Sequence, residues 1–205
     1  MAEILSNFIY NLTGENAHVA TLLVSMFPLI ELKGAIPIGT FYGLDLLTCA
    51  LLSYIGSCVI VIPIFFLLIP IFNLLKKIKF IKKIVEKIET VFKNKAEKLA
   101  KNSNGETEIA VRKMLMLGLF IFVSVPFPVT GVWTGTGLAV LLNMRFRDSI
   151  IPIMLGNLVA GTIITLLTWL FKPYVDIIIT VLLIIAIIML IIFIVKVAVS
   201  KPENN

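Results

Sequence analysis

The chain has 205 residues, a formal net charge of +6, 59% hydrophobic residues and a mean hydropathy of +1.05. Soluble domains hold roughly 45–50% apolar residues, so this excess excludes a single water-soluble globule and points to an all-α integral membrane protein. With one histidine and two cysteines, and with no HExxH, GxSxG or phosphate-loop motif, the chain is read as a non-enzyme that carries no metal and no cofactor.

Residues 1–18 read as a short polar N-terminus. Glu3 and Glu15 lie there without a lysine or arginine, so the basic start of a cleavable signal is missing. His18 falls at the outer end of the first apolar segment and is expected to pack or to sit at the interface, with a proton relay as the alternative. Residues 20–30 are apolar, the run Glu31-Leu-Lys-Gly-Ala-Ile-Pro-Ile-Gly39 interrupts them, and apolar residues resume to Tyr42. Residues 19–44 are thus expected to form a broken, re-entrant hairpin. Residues 46–75 carry no charge and exceed the roughly 18 residues of a membrane-crossing helix. Cys49 and Cys58 lie in this span about 13 Å apart at the helical rise, too far for a disulfide, and are read as small core residues.

Residues 76–101 form a basic amphipathic stretch. Between positions 74 and 101 ten lysines face Glu86, Glu89 and Glu97, a local charge of +7. Its apolar positions follow helical spacing, which suits a helix lying on lipid headgroups; nucleic acid is not the expected partner. A second broken segment, 114–143, contains Pro126-Phe-Pro-Val-Thr-Gly-Val-Trp-Thr-Gly-Thr-Gly137. Arg145 and Arg147 follow as interface anchors, then a span at 149–171, a Lys172-Pro173 turn, and a final span at 174–198.

The order of arm, break, arm, short polar turn and full span occurs twice. Gly34 precedes Gly131 by 97 residues, and Gly56-Ser57 precede Gly156-Asn157 by 100. Each arm of about 11–13 residues reaches about 16–20 Å, half to two-thirds of a bilayer core. Positive charge favours the cytoplasmic side. If the second broken segment crossed the membrane, Arg145 and Arg147 would emerge outside; if it returns, they stay inside with Arg112 and Lys113. The expected fold is therefore an inverted repeat of re-entrant helical hairpin plus transmembrane helix, with a cytoplasmic amphipathic helix and a C-terminal transmembrane helix. The expected location is the plasma or inner membrane, N-terminus outside and C-terminus cytoplasmic. In secondary transporters this plan frames a site at the repeat interface.

Glu31 and Lys33 are the ionisable residues expected at depth. Each costs about 2.5–3.5 kcal/mol at a helix centre on insertion scales, so they are read either as a coupling or binding site or as a self-compensating pair that tethers the tip. Pro37, Pro126 and Pro128 break helices; Gly34, Gly131 and Gly135 allow close approach. Half-helix N-termini near Gly34 and Gly131 would aim N–H groups at an anion, while Thr130 and Thr134 add hydroxyls and Trp133 a flat apolar face. Asn157, deep in a span, is expected to bond between helices, and Arg145 to anchor at the interface or meet lipid phosphate.

Glu31-Leu-Lys-Gly-Ala-Ile-Pro and Pro126-Phe-Pro-Val-Thr-Gly-Val-Trp-Thr-Gly resemble the motifs of the small multidrug export protein family, a distant relative of the DedA-like membrane proteins. The likeness covers roughly residues 15–170. Glu31, Lys33, Gly34, Ala35, Ile36 and Pro37 fit the first family motif. Pro128, Thr130, Gly131, Trp133, Thr134 and Gly135 fit the second, in which Val129 replaces a glycine. The hairpin arginines frequent in DedA-like relatives are absent from the second tip, where Arg145 and Arg147 are the nearest arginines that follow it. The resemblance implies export of small amphipathic or cationic compounds; Glu31, a carboxylate at depth, is the residue that would couple such export to protons. Its alternative is movement of lipid-linked phosphates or phospholipids across the bilayer, using Lys33, the hairpin N-termini and Arg145. A membrane scaffold that recruits partners through its basic helix is a third class. The expected partners are the bilayer and a small-molecule or lipid substrate; a homo-oligomer would shelter the polar tips from lipid.

Overall fold

The computed structural model describes residues 2–75, 90, 107–127, 130–171, 184 and 188. The basic segment 76–101, apart from helical Thr90, and the last span 174–198, apart from helical positions 184 and 188, lie outside the described residues, as does Pro128.

Seven helices are described at length: α1 (Ala2–Leu12), α2 (Ala17–Val24), α3 (Glu31–Phe41), α4 (Leu46–Leu75), α5 (Thr107–Ser124), α6 (Val132–Leu141) and α7 (Phe146–Leu170). The protein is all-α among these residues, and α4 and α7 are long and apolar enough to cross a membrane. At about 1.5 Å per residue they reach about 45 and 37 Å, beyond the ~30 Å hydrocarbon core. A core helix of a soluble protein would be mostly buried. Here Leu47, Leu51, Ile55, Val59, Ile62 and Phe66 stay exposed along one face of α4, and Ile151, Leu155, Leu158, Leu166 and Leu170 along α7. Such apolar stripes suit lipid as the solvent.

The two long helices run antiparallel. The N-terminal half of α4 shares a cleft with the C-terminal half of α7, and Phe65 and Phe66 in the C-terminal half of α4 pack on Phe146 at the start of α7. Midway, Asn157 Nδ2 donates to Ser57 Oγ at 2.7 Å and Tyr54 donates to the Met154 carbonyl at 3.4 Å. α3 and α6 each pack against both long helices.

Three sequence expectations change. Residues 1–18 are not simply a polar terminus: α1 forms there, burying Ile9 and stacking Tyr10 on Tyr42 with ring centroids 4.4 Å apart. The α5 helix begins at Thr107, before the expected 114, because polar and charged residues continue it ahead of its apolar stretch. The span expected from 149 begins at Phe146, with extended Arg145 ahead of it.

The chain reverses after α3 and α6 in the same way. Tyr42, Gly43 and Leu44 donate to the carbonyls of Ile38, Thr40 and Gly39; Leu142, Asn143 and Met144 donate to those of Leu138, Val140 and Ala139. These bonds recur at an interval of 100 residues. Gly43 (φ 86°) and Asn143 (φ 54°) both take the left-handed conformation, which closes a helix and which glycine and asparagine tolerate best. This register places Glu31, not Gly34, opposite Gly131.

Candidate functional site: the meeting of two helix breaks

The break between α2 and α3 bends tightly. Leu29 (φ 75°) and Glu31 (φ 48°) are left-handed without being glycine, a strain of order 1–3 kcal/mol each. Among the described residues of the break between α5 and α6, Gly131 is extended and none of the others is left-handed. The two breaks touch.

Glu31 and Lys33 are each only 7% exposed, so their charges need partners. Lys33 Nζ lies 3.7 Å from Glu31 Oε2 and donates to the Phe127 carbonyl at 2.9 Å, with the Thr130 hydroxyl at 3.5 Å. Glu31 Oε1 accepts the Trp133 backbone N–H at 3.0 Å. Trp133 is the second residue of α6, whose opening N–H groups have no partner within the helix. A Ser, Thr or Asp usually caps such an end, but Gly131 stands there and makes no side-chain cap. The Glu31 carboxylate supplies it from the other half of the chain, and its negative charge suits the positive end of the helix dipole.

Glycine at 131 permits this. A Cβ added there would fall inside the Glu31 carboxylate. The site is held on its flanks as well. Trp133 Nε1 donates to the Met26 carbonyl at 2.9 Å. The Thr130 hydroxyl reaches the Val125 carbonyl at 2.7 Å and that of Phe127 at 2.9 Å, and Thr134 Oγ1 accepts the Gly131 N–H at 3.1 Å.

Glu31, Lys33, Thr130, Gly131, Trp133 and Thr134 thus come together. Gly34 and Pro37 lie along α3: Gly34 faces the Ile30 side chain, and buried Pro37 withholds the N–H that would have bonded the Lys33 carbonyl. Gly135 packs on Val123. Asn157 is 2% exposed and bonds Ser57 across α4 and α7, the interhelical role expected of it. Arg145 stands exposed just ahead of α7, at the far end of α6 from the break that contains Gly131.

Met26, Phe127 and the pairing of Arg112 with Asp148 escape a reading of the sequence. Arg112 pairs with Asp148, which is 5% exposed, so the start of α5 is tied to the first turn of α7. A carboxylate three residues after Arg145 was the available signal. A separate cleft of about 470 Å³ opens between α4 and α7, lined by Leu32, Tyr54, Gly161, Thr165 and Trp169 among others. Among the described residues no group of three or more His, Cys, Asp or Glu could hold a metal.

No curated protein and no solved structure matches the chain significantly. A family model described as "Putative small multi-drug export protein" matches residues 31–163, from the site's own Glu31 to the second half of α7. This match spans well over half of the sequence, and the chain belongs to that family of membrane proteins.

Proposed function

We propose that the chain is a small secondary transporter that exports amphipathic or cationic compounds in exchange for protons, with Glu31 as the coupling carboxylate. One observation carries the reading: two buried, oppositely charged side chains of one helix break are held by backbone groups of the other. Intramembrane ionisable groups are costly enough to suggest function by default.

In this reading the two breaks are re-entrant tips of an inverted repeat. The 100-residue recurrence of the reversals supports it, as does the Arg112–Asp148 pair, which brings both ends of the second hairpin together. Because α4 and α7 are antiparallel, the hairpin mouths open at opposite ends. α3 and α6 are about 16 and 15 Å long, so both tips reach about the middle of the bilayer. The second mouth, with Arg112, Lys113, Arg145 and Arg147, faces the cytoplasm, and the first faces outside.

Ionised Glu31 holds the tips together through the Trp133 N–H and, by its charge, keeps Lys33 in place on the Phe127 carbonyl. A proton on Glu31 weakens the cap on α6 and leaves Lys33 without the counter-charge that positions it. Hydrogen bonds to charged groups contribute about 1.5–3 kcal/mol each, enough to shift a balance between closed and parted tips by ten-fold or more. Proteoliposomes carrying a pH gradient and a fluorescent lipophilic cation test this. Wild type should accumulate the cation against its gradient; equal accumulation by Glu31→Gln removes the coupling role.

A second reading, movement of phospholipid or lipid-linked phosphate between leaflets, draws on the cleft beside Leu32, about 470 Å³ in volume and lined mostly by apolar residues, a chemistry that suits an acyl chain. Labelled phospholipid that never changes leaflet in the same vesicles would exclude it.

A further inference from the structure

Helices α5 and α7 run side by side in the same direction. Arg112 of α5 pairs with Asp148 of α7, and eight residues further along each helix a Cβ on Gly156 would meet the Phe120 carbonyl at 2.8 Å. A groove of about 300 Å³ follows the line between them. Met116, Leu117 and Phe120 line it from α5, Ile151, Pro152 and Leu155 line it from α7, and Lys113 stands at the end nearest Arg112 and Asp148. Leu117, Ile151 and Leu155 are more than half exposed, so the groove opens outward, onto hydrocarbon when the protein is in a bilayer.

Helical spacing puts a second cation at the same end. Positions 147, 151 and 155 follow at intervals of four, so Arg147 stands one turn ahead of Ile151 on the stripe that lines the groove. The 25 residues of α7 outreach a hydrocarbon core of about 30 Å. Its first turn therefore stands among headgroups, and the flexible stem of Lys113 carries its ammonium toward the same level. Neither cation has a local counter-charge. Asp148, the acid beside Arg147, is buried and taken by Arg112. No acid stands three or four positions from Lys113 or Arg147, and neither joins an ion pair among the described residues. The larger cleft between α4 and α7 differs here, because no charged residue lines it.

We propose that the α5–α7 groove binds an anionic phospholipid, its phosphate between Lys113 and Arg147 and one acyl chain laid along Met116, Leu117, Phe120, Ile151 and Leu155. Basic pockets between membrane helices recognise anionic headgroups in this way. An apolar groove headed by two unpaired cations matches such a lipid in both of its parts. The lipid is a resident and not a cargo: it splints α5 to α7 beside the Arg112–Asp148 pair. The inference stands apart from the transport reading and does not depend on it.

Native mass spectrometry of the full-length protein, titrated with phosphatidylglycerol or with phosphatidylcholine of the same chains, tests this. Wild type should retain one phosphatidylglycerol in preference to phosphatidylcholine. A cation near an anionic surface is worth about a five-fold gain in affinity, so Lys113→Gln/Arg147→Gln should weaken retention by about 25-fold. Each single variant, should the double one not fold, should weaken it by about five-fold. Ile151→Trp fills the groove without touching a charge and, at a lipid-facing position, should leave the fold intact while expelling the lipid. Arg145→Gln, off the 147–151–155 stripe, should keep it. Equal retention of the two lipids, or equal loss in Arg145→Gln and the double variant, would mean diffuse surface charge and overturn the site. Undiminished retention by Ile151→Trp overturns the place of the chain in the groove. A dimer that phosphatidylglycerol does not dissociate and that Ile151→Trp abolishes would assign the groove to a second copy, and that too overturns the proposal.

Discussion

The two helix breaks meet at one point but contribute opposite kinds of group. The first supplies charged side chains, Glu31 and Lys33; the second answers with main-chain atoms, the Trp133 N–H and the Phe127 carbonyl. Side chains can change protonation and rotamer, while main-chain groups at a helix end are fixed dipoles. The contrast teaches that one break holds the titratable groups and the other the backbone groups that pair with their charged forms; in the proposed transport cycle the first would switch and the second would respond.

Gly131→Ala should break this arrangement most severely. The added methyl expels the Glu31 carboxylate and leaves a buried charge without its cap, at a cost of about 3–5 kcal/mol. Thermal unfolding in detergent should show a large loss, and flux should vanish. Gly34→Ala sharpens the comparison, because its methyl meets no charge but the β-branch methyl of buried Ile30, at 2.6 Å; the overpacking should cost about 1–3 kcal/mol, less than Gly131→Ala.

Next in size are Lys33→Met and Glu31→Gln. Each should lower stability by about 1.5–3 kcal/mol, and the double variant should lose less than the two single losses combined, since either change alone abolishes the shared ion pair. Strict additivity in a denaturation series would mean that the pair does not act as a unit. Asn157→Leu removes the bond to Ser57 away from the tips. Interhelical bonds of this kind average ~0.6 kcal/mol, so a small loss of stability with flux retained is expected, and loss of flux would extend the working site to the crossing of α4 and α7.

The smallest effect concerns the mouths. Asp45 accepts the Thr48 N–H at 2.8 Å, and its carboxyl is held below the ordinary 3.8, first by the Thr48 side chain and then by that N–H. Because the folded value is the lower one, this stabilisation is present above the unfolded value and disappears as pH falls through the folded one. Asp45→Asn should therefore cost slightly at neutral pH and nothing in strong acid, as unfolding curves at the two pH values would show.

Much of this was legible in the sequence, for identifiable reasons. Uncharged runs marked α4 and α7, and the Pro and Gly residues near Glu31 and Gly131 marked breaks in apolar arms. Glu31 and Lys33 stood out because a charge among apolar residues is expensive. Trp133 and Thr130 were picked out for their side chains, yet Trp133 matters equally through its backbone N–H. Phe127 and Met26 act through carbonyls that every residue carries, so no side chain could announce them. Asp148 drew no reading of its own because its partner, Arg112, is 36 residues away in the chain. α1 was missed although Leu5, Phe8, Ile9 and Leu12 follow helical spacing, since interspersed polar residues suggested a tail. The 97-residue match of Gly34 with Gly131 aligned two glycines by identity, and the hydrogen-bonded reversals reset that register to 100.

The missing side chain at position 131 is itself part of the site. The space a Cβ there would need is filled by the Glu31 carboxylate, so an acid at both positions would force two carboxylates into it, and a glycine at both would leave the start of α6 uncapped. The bare residue is as necessary to the pair as the charged one.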